Sequence, residues 1–264
     1  MSRCAALLLC ACALLPVPLP AAEPPREVAE RVAATIEESY FDASEGARIA
    51  GELRRATGSG AFDRLQEPRE LATALTDRLK PLDQHFAVRW SAPGTEPAGH
   101  GRGPVPDPAR SNFGIRKVQL LPANVGYLEL GYFADIDFDD PADPARKAID
   151  AALQLLAHAD AVLVDVRDNG GGSPAMVGYL SSAFVDHGSD IYNTFRWREG
   201  GASEAPPQEY PAPRTTMPLY VLTSGRTGSA AEAFAYTLGN AKRAVLVGER
   251  TGGAANPGRP FDIG

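Results

Sequence analysis

The sequence is poor in cysteine, in long hydrophobic runs and in clustered positive charge. Its three cysteines, Cys4, Cys10 and Cys12, lie at the N-terminus, so the rest of the chain can form neither a disulfide nor a thiolate metal site. Basic residues form no block and the formal charge is −7, which excludes an electrostatic footprint for nucleic acid or an anionic membrane. The sequence contains no nucleotide-binding glycine motif and no cluster of metal-ligand residues. We therefore expect no cofactor and no metal.

Residues 1–22 have the layout of a secretory signal peptide. Arg3 precedes an apolar run from Ala5 to Leu15, and a proline-rich stretch and the pair Ala21-Ala22 follow it. The run is shorter than the roughly 20 residues that a membrane-spanning helix needs. Residues 9–12, Leu-Cys-Ala-Cys, are loosely similar to a lipoprotein cleavage box, so lipidation is the alternative. We predict cleavage after Ala22, no membrane insertion afterwards, and a periplasmic or cell-envelope location.

The spacing of apolar residues divides the remaining chain into two units. Residues 23–90 have apolar side chains at helical spacing, which predicts a small helical N-terminal domain. Its last residues, 83–90, alternate in the manner of a strand. Residues 91–111 carry five prolines and four glycines, so we predict a linker or loop there. Residues 112–264 form the second unit.

Strand and helix patterns alternate in this second unit. We predict strands at residues 118–121, 125–130, 161–166, 219–222 and 244–247, and helices at residues 144–157, 174–184 and 229–238. Polar, proline-rich residues 199–213 are predicted to be a surface loop. The alternation predicts an α/β fold with a mainly parallel sheet and flanking helices.

Two strand-to-helix turns of the second unit contain residues that could carry chemistry, because ligands of open α/β sheets bind outside the carboxyl ends of the strands. The first turn, DVRDNGGG at residues 165–172, has three glycines whose N–H groups suit an oxyanion hole. A tight structural turn is the alternative. The second turn, residues 222–232, places Ser229 at the start of a helix. Because Glu232 follows at capping-box spacing, the residues alone leave nucleophile and helix cap both open.

Five segments, in this order, resemble the tail-specific (C-terminal processing) serine peptidase family. They are NFG at residues 112–114, VGYL at 125–128, DVRDNGGG at 165–172, LTSGRTGSAAEAFAY at 222–236 and VLVGERTGGAANPG at 245–258. The resemblance is greatest to the branch of interphotoreceptor retinoid-binding protein and tricorn protease. It implies a catalytic core of the crotonase or Clp-protease type and the cleavage of polypeptides by a serine nucleophile.

The resemblance implies roles for individual residues. Ser229 corresponds to the serine of the family's Ser-Ala-x-Glu motif and would be the nucleophile. Ala230 and either Gly171 or Gly172 would supply the N–H groups of the oxyanion hole. A serine needs an adjacent base, and many members use the lysine of a Gly-Lys-Gly motif. Residues 253–255 of this chain are Gly-Ala-Ala, so that lysine is absent.

His85 is the expected base in place of the lysine. The segment Asp83-Gln84-His85 resembles the Asp-x-His motif of the lysine-less branch, and an imidazole titrates near neutrality. In that branch the orienting acid lies well beyond the serine, so we expect it after Gly264 and expect the chain to stop within its catalytic domain. Asp83 is the alternative acid, although a separation of two residues on a strand is awkward for orienting the ring. Asp165 and Arg167 are expected to hold their turn rather than react.

Together these expectations predict that the protein is a serine-type endopeptidase that acts on polypeptides in the cell envelope. Between His85 and Asn112 the sequence contains no recognisable peptide-binding insertion domain, so substrate selection would differ from that of the full tail-specific architecture. The retinoid-binding branch supports a second hypothesis, a non-catalytic protein that binds an apolar ligand or a peptide terminus. Another acyl hydrolase, such as an esterase, is a third.

Overall fold

The N-terminal unit of the computed structural model is a bundle of helices. The structure describes residues 23–92, 107–196, 198, 200–253 and 260–263. The helices of this unit are α1 (Pro25–Ser39), α2 (Ala43–Gly58) and α3 (Pro68–Leu79). Asp42 begins α2 by accepting hydrogen bonds from the N–H groups of Ser44 and Glu45 at 2.8 and 2.9 Å. Proline is the first residue of α1 and of α3. The N–H groups of a first helical turn have no acceptor within the helix, so the N–H that proline lacks costs no helical hydrogen bond.

Apolar residues at helical spacing hold these helices together. Seven of the residues between them are at most 1% exposed: Ala29, Ala33, Ile49, Ala50, Leu53, Leu75 and Leu79. The segment after α3 folds back onto the same core through Leu82, Phe86 and Val88. The predicted helical N-terminal unit is therefore confirmed.

Residues 83–90 do not form the predicted strand. Residues 84 and 85 lie in a turn, and residues 86–92 have no regular secondary structure. Val88 makes both of its backbone hydrogen bonds with the Thr76 hydroxyl, at 2.8 and 3.0 Å. The alternating pattern arises because Phe86 and Val88 face the helical core, while a side chain of α3 takes the place of a neighbouring strand.

The second unit alternates strands with helices as predicted. Its strands are β1 (Ile115–Leu121), β2 (Val125–Leu130), β3 (Ala161–Asp165), β4 (Thr194–Arg196), β5 (Gly201–Ser203), β6 (Leu219–Thr223) and β7 (Val245–Gly248). Its α-helices are α4 (Pro144–Leu155), α5 (Pro174–Ser182) and α6 (Ala230–Asn240). The predicted strands and helices of this unit are all present, with bounds that differ by up to three residues.

The strands of the main sheet follow the order β1-β2-β3-β6-β7. β1 and β2 are antiparallel and the other neighbours are parallel, which confirms the mainly parallel α/β fold. Because β3 and β6 are adjacent, with Asp165 opposite Leu222, the turns that follow them open at the same edge of the sheet. The topology therefore brings the two candidate turns side by side.

An apolar core anchors both turns. Val164 and Val166 in and after β3, and Val221 in β6, are fully buried. The backbone of Phe133 pairs with Gly172, and the Phe133 ring lies 5.6 Å from the ring of Phe234 on α6. The same side-chain packing thus holds the first turn and the helix that follows the second.

The stretch predicted as a surface loop, residues 199–213, is partly ordered into a hairpin and partly buried. Its residues 201–203 form β5, which pairs with β4 in antiparallel fashion. Glu204 and Tyr210 are 2% and 8% exposed. A Cβ on Gly178 of α5 would lie 1.9 Å from the Glu204 carbonyl oxygen, so this glycine lets the stretch pack against the helix. Residues 204–213 have no regular secondary structure, and the described residues of the stretch other than Glu204 and Tyr210 are exposed or partly exposed, so the predicted surface loop is confirmed for most of its length. The hairpin and the two buried residues were not predicted, because their packing partners come from outside the stretch.

Part of the sequence analysis concerns residues that the structure does not describe. The predicted signal peptide, residues 1–22, and residues 93–106 of the predicted linker 91–111 lie outside the described ranges. Residues 108–114 form a short 3-10 helix that leads into β1. Across the described ranges, none of the helices combines the length and the apolar character that crossing a bilayer would require.

Candidate active site

The two candidate turns are joined by hydrogen bonds. We call residues 167–172 the glycine turn and residues 224–229 the serine turn. The N–H of Gly228 donates to the Asn169 carbonyl at 3.0 Å. Thr227, which is fully buried, donates its hydroxyl to the Val166 carbonyl at 2.8 Å. Together with the register of β3 and β6, these bonds fix the serine turn against the glycine turn.

Ser229 has an unusual backbone conformation at the start of α6. Its φ is 52° and its ψ is −122°. A residue that only caps a helix adopts extended dihedral angles, and a positive φ on a residue other than glycine is uncommon. Such a conformation costs about 1–3 kcal/mol and is concentrated at functional sites. A strained serine between a strand and a helix also exposes the nucleophile in α/β-hydrolases, so this geometry favours a nucleophile over a simple cap.

Glu232 holds the serine turn in this conformation. The residue is 7% exposed. One carboxylate oxygen accepts the Ser229 N–H at 2.9 Å and the other accepts the Gly253 N–H at 2.7 Å. The glutamate at capping-box spacing is therefore bound to the backbone of Ser229. It also ties the serine turn to Gly253, in the segment where the resemblance led us to look for a lysine.

Two glycines allow the close packing of the glycine turn. Gly171 has a φ of 116°, and a Cβ there would lie 2.7 Å from the Ser229 Cβ. Gly172 has a φ of 142°, and a Cβ there would lie 2.0 Å from the Phe133 carbonyl oxygen. Side chains rarely adopt these dihedral angles. Gly171 is thus required by the contact with Ser229, and Gly172 by the contact with the backbone of Phe133.

The backbone N–H groups around Ser229 differ in their availability. The Gly171 N–H donates to Oδ1 of Asn169 at 2.9 Å. The N–H groups of Ala230 and Gly172 donate to no other residue in the part of the chain that the structure describes. Ala230 opens α6, where N–H groups are unpaired and the helix dipole favours negative charge. The Ala230 N–H, directly after Ser229, can therefore stabilise an oxyanion beside that residue.

Asn169 is the residue of this site that the sequence analysis missed. It is fully buried, its side-chain oxygen binds the Gly171 N–H, and its carbonyl binds the Gly228 N–H. It therefore sets the shape of the glycine turn and connects it to the serine turn. The signal was present in the sequence, because an asparagine before glycines favours a turn that its own side chain closes.

Asp165 and Arg167 lie at the base of the glycine turn. Arg167 donates from Nη2 to Oδ2 of Asp165 at 2.6 Å, and the Tyr127 hydroxyl donates to the same oxygen at 2.7 Å. The Asp165 side chain is 5% exposed. Burial by itself raises the pKa of Asp165, but the hydrogen bonds from Arg167 and Tyr127 outweigh burial and hold that pKa below its ordinary value of 3.8. Asp165 is thus an ionised structural group.

We expect Asp165 to make the stability of this unit depend on pH. Because its pKa is lower in the folded chain than in the unfolded chain, its stabilisation is complete above the ordinary value of 3.8 and is lost as the pH falls through the folded-state value. The free energy of unfolding of Asp165→Asn, measured with urea across a pH series, should lie furthest below the wild-type value near neutral pH and approach it in acid. Asp160→Asn, an exposed carboxylate directly before β3, is the control and should follow the wild-type curve. A constant gap between wild type and Asp165→Asn would contradict the expectation.

The structure places His85 in the helical unit. Its Nδ1 lies 3.1 Å from Oδ1 of Asp83, and the same oxygen accepts the His85 N–H at 2.9 Å. The two side chains can pair because these residues lie in a turn. On a strand, a separation of two residues would have made this pairing awkward. The His85 Nε2 is buried and has no partner among the described residues. Over those same ranges, no hydrogen bond joins His85 to Ser229.

Hydrogen bonds from two arginine side chains to backbone carbonyls connect the two units. Arg198, between β4 and β5, donates from Nε to the Tyr40 carbonyl at 3.0 Å and from Nη2 to the Glu37 carbonyl. Arg31 on α1 donates to the Ile263 carbonyl at 2.6 Å. The end of α1, which is next to Tyr40, is therefore bound to the α/β unit.

A relative of known sequence is similar to about half of this chain. Carboxyl-terminal-processing peptidase 1 of the Arabidopsis thaliana chloroplast is 32% identical over 145 residues. The match covers 54% of this chain and 27% of that protein. The chain therefore spans about a quarter of the length of this curated relative.

Solved structures share the fold. A Parabacteroides merdae protein described as a candidate peptidase has a TM-score of 0.57 and 17% identity over 88% of this chain and 78% of its own. A lipoprotein of Streptococcus agalactiae has a TM-score of 0.51 and 11% identity over 92% of this chain and 80% of its own. At such identities the similarity establishes the fold alone.

The family follows from a match that contains both turns of the site. The sequence profile of peptidase family S41 matches residues 124–263, which include the glycine turn, Ser229 and Glu232. This match covers more than half of the sequence. The chain belongs to peptidase family S41.

Proposed function

We propose that this chain is a serine peptidase with Ser229 as its nucleophile. The observation that carries the proposal is the strained conformation of Ser229 at the start of α6, where Glu232 binds its N–H and Gly171 leaves room beside it. Membership of family S41 supports this assignment. So does the 32% identity with a carboxyl-terminal-processing peptidase over 145 residues.

The proposed reaction is acyl transfer to the serine. Oγ of Ser229 attacks the carbonyl carbon of a peptide bond, and the hydroxyl proton passes to Nε2 of His85. The carbonyl oxygen becomes an oxyanion that accepts hydrogen bonds from the N–H groups of Ala230 and Gly172. The carbon–nitrogen bond then breaks, and the proton moves from His85 to the leaving amine. Water hydrolyses the acyl-serine by the same proton exchange.

Gly172 is proposed as the second oxyanion donor instead of Gly171. The Gly171 N–H is already bound by the Asn169 side chain at 2.9 Å, so using it would break a buried hydrogen bond. The Gly172 N–H donates to no other described residue. Gly171 then serves the site by its missing side chain, which admits Ser229.

We propose His85 as the base because an imidazole can accept a proton near neutral pH. Its Nε2 makes no hydrogen bond to another described residue. The family's lysine is absent from residues 253–255. Nε2 of His85 is buried without a partner among the described residues, whereas Nδ1 is paired with Asp83. Hydrogen bonds between catalytic groups often form only when a substrate is bound. We propose that His85 reaches Ser229 in that complex.

The proposed substrates are polypeptides of the cell envelope. The pattern of residues 1–22 is typical of a signal for export, and a chain without cysteine after residue 12 needs no oxidising folding environment. The related chloroplast protein is named for processing carboxyl termini. We propose the same class of substrate, a peptide bond near a chain end, for this protein.

A fluorophosphonate probe tests the nucleophile directly. The full chain should form a covalent adduct at Ser229, located by peptide mapping, and Ser229→Ala should form none. Ser203→Ala, which removes an exposed serine of β5, is the matched control and should label at the wild-type rate. A folded wild-type chain that does not label would contradict the peptidase and would favour the non-catalytic binding protein. Comparison of peptide and ester substrates would then separate a peptidase from an esterase.

A further inference from the structure

The hydrogen bonds of Asp83 suggest that the acid that orients His85 lies in the helical unit. We propose that Asp83, held in place by Tyr40, is the positioning residue that orients His85 toward Ser229. This inference rests on the proposed role of His85 as base. Asp83 precedes the histidine by two residues.

Asp83 makes hydrogen bonds that lock the imidazole. One oxygen accepts the His85 backbone N–H at 2.9 Å and lies 3.1 Å from Nδ1. The other oxygen accepts the Tyr40 hydroxyl at 2.9 Å. The side chains of Asp83 and His85 are 9% and 25% exposed. The ring cannot rotate about its Cβ–Cγ bond without losing the contact between Nδ1 and the carboxylate.

The carboxylate also determines which ring nitrogen carries the proton. A carboxylate accepts hydrogen bonds and cannot donate one, so the neutral imidazole beside Asp83 keeps its proton on Nδ1. Nε2 is then the unprotonated acceptor. Nε2 is also the buried atom without a partner among the described residues. The ring is therefore in the tautomer that can take the proton of a serine hydroxyl.

Tyr40 fixes the carboxylate and connects it to the α/β unit. Its ring lies 5.7 Å from the ring of Phe86 in a stacked arrangement. Burial, together with the hydrogen bond to Asp83, raises the pKa of Tyr40 well above its ordinary value, so the hydroxyl remains a donor. The Tyr40 carbonyl accepts a hydrogen bond from Arg198 at 3.0 Å. The group that orients His85 is thus bound to the unit that carries Ser229.

The tautomer of His85 tests this positioning without any measurement of activity. Nitrogen-15 chemical shifts of the imidazole in the full chain distinguish protonation of Nδ1 from that of Nε2, and the spectrum of His85→Gln identifies the His85 signals. We expect Nδ1–H in the wild type and a shift of the population toward Nε2–H in Asp83→Asn. Asp63→Asn, which removes a carboxylate of the same unit that binds Arg26, should keep the wild-type tautomer. An unchanged tautomer in Asp83→Asn would overturn the proposal.

The rate of phosphonylation tests whether the positioning serves Ser229. In this reaction Oγ of Ser229 bonds to phosphorus, fluoride leaves, and the hydroxyl proton passes to Nε2. Asp83→Asn should lower the maximal rate constant at least about 10²-fold and leave the half-saturating concentration of the fluorophosphonate unchanged. Tyr40→Phe keeps the ring contacts and should lower the rate constant by about two- to tenfold, as loss of one hydrogen bond would. Tyr132→Phe, whose hydroxyl pairs with Ser111, should have no effect.

The two measurements separate this inference from the proposed function. A changed tautomer with an unchanged rate in Asp83→Asn, while His85→Gln reacts slowly, would overturn the role of Asp83 in the reaction. If His85→Gln reacts as fast as the wild type, the base of the proposed function is wrong and the inference falls with it, whatever the tautomer. If Asp83→Asn does not fold, Tyr40→Phe decides, and a wild-type rate in that variant would overturn the proposal.

Discussion

Gly171→Ala should lower the rate of Ser229 phosphonylation by about 10³-fold or more, because it damages the site in two ways. The new Cβ would lie 2.7 Å from the Ser229 Cβ and 3.1 Å from the Ala230 nitrogen, so the nucleophile and an oxyanion donor must both move. A displacement of about 1 Å costs on the order of 10²-fold in rate, and loss of an oxyanion donor costs about as much. A φ of 116° is also strained for alanine, which should lower the free energy of unfolding by about 1–3 kcal/mol.

Gly170→Ala is the matched control for this variant. A Cβ on Gly170 would meet no atom within 4 Å, and its φ lies outside the positive range. We expect near wild-type labelling and stability for Gly170→Ala, measured by the rate of adduct formation and by urea unfolding. Equal rates for Gly170→Ala and Gly171→Ala would show that the close packing beside Ser229 is not needed for the reaction.

Glu232→Gln should lower the free energy of unfolding by about 2–4 kcal/mol and slow labelling by about 10²-fold. The carboxylate accepts N–H groups with both oxygens, from Ser229 at 2.9 Å and from Gly253 at 2.7 Å. A glutamine side chain has one oxygen and one NH₂ group, so one of these N–H groups would face a donor in a buried position. If the Ser229 N–H is the one that loses its acceptor, a buried hydrogen bond that stabilises the positive φ of Ser229 is gone.

Glu249→Gln separates this effect from the mere removal of a negative charge. Glu249 is exposed and accepts the Gly225 N–H at 3.2 Å, a bond that an amide oxygen can keep. Its stability should remain within about 0.5 kcal/mol of the wild type, and its labelling rate should not change. Comparable losses in the two variants would mean that charge, and not the pair of hydrogen bonds, accounts for the effect of Glu232.

Two differences between the sequence analysis and the structure have one physical origin. The alternation in residues 83–90 was interpreted as a strand, but the backbone of Val88 is bound by the Thr76 side chain. The polar stretch 199–213 is mostly the surface loop that was predicted, but Gly178 admits part of its backbone into contact with α5, which was not predicted. In both cases the decisive partner comes from another part of the chain. Local composition carries no information about it.

The sequence by itself determined the order of strands and helices in the second unit, the mainly parallel sheet and the position of Ser229 at the start of α6. These properties depend on periodicity and on short ordered motifs, which are local. Only the tertiary structure decided that Glu232 and Gly171 hold Ser229 at a positive φ, that Asn169 occupies the Gly171 N–H, and that Asp83 pairs with His85. Those facts depend on distances through space and on which donors already have acceptors, and a linear sequence fixes neither until the chain has folded.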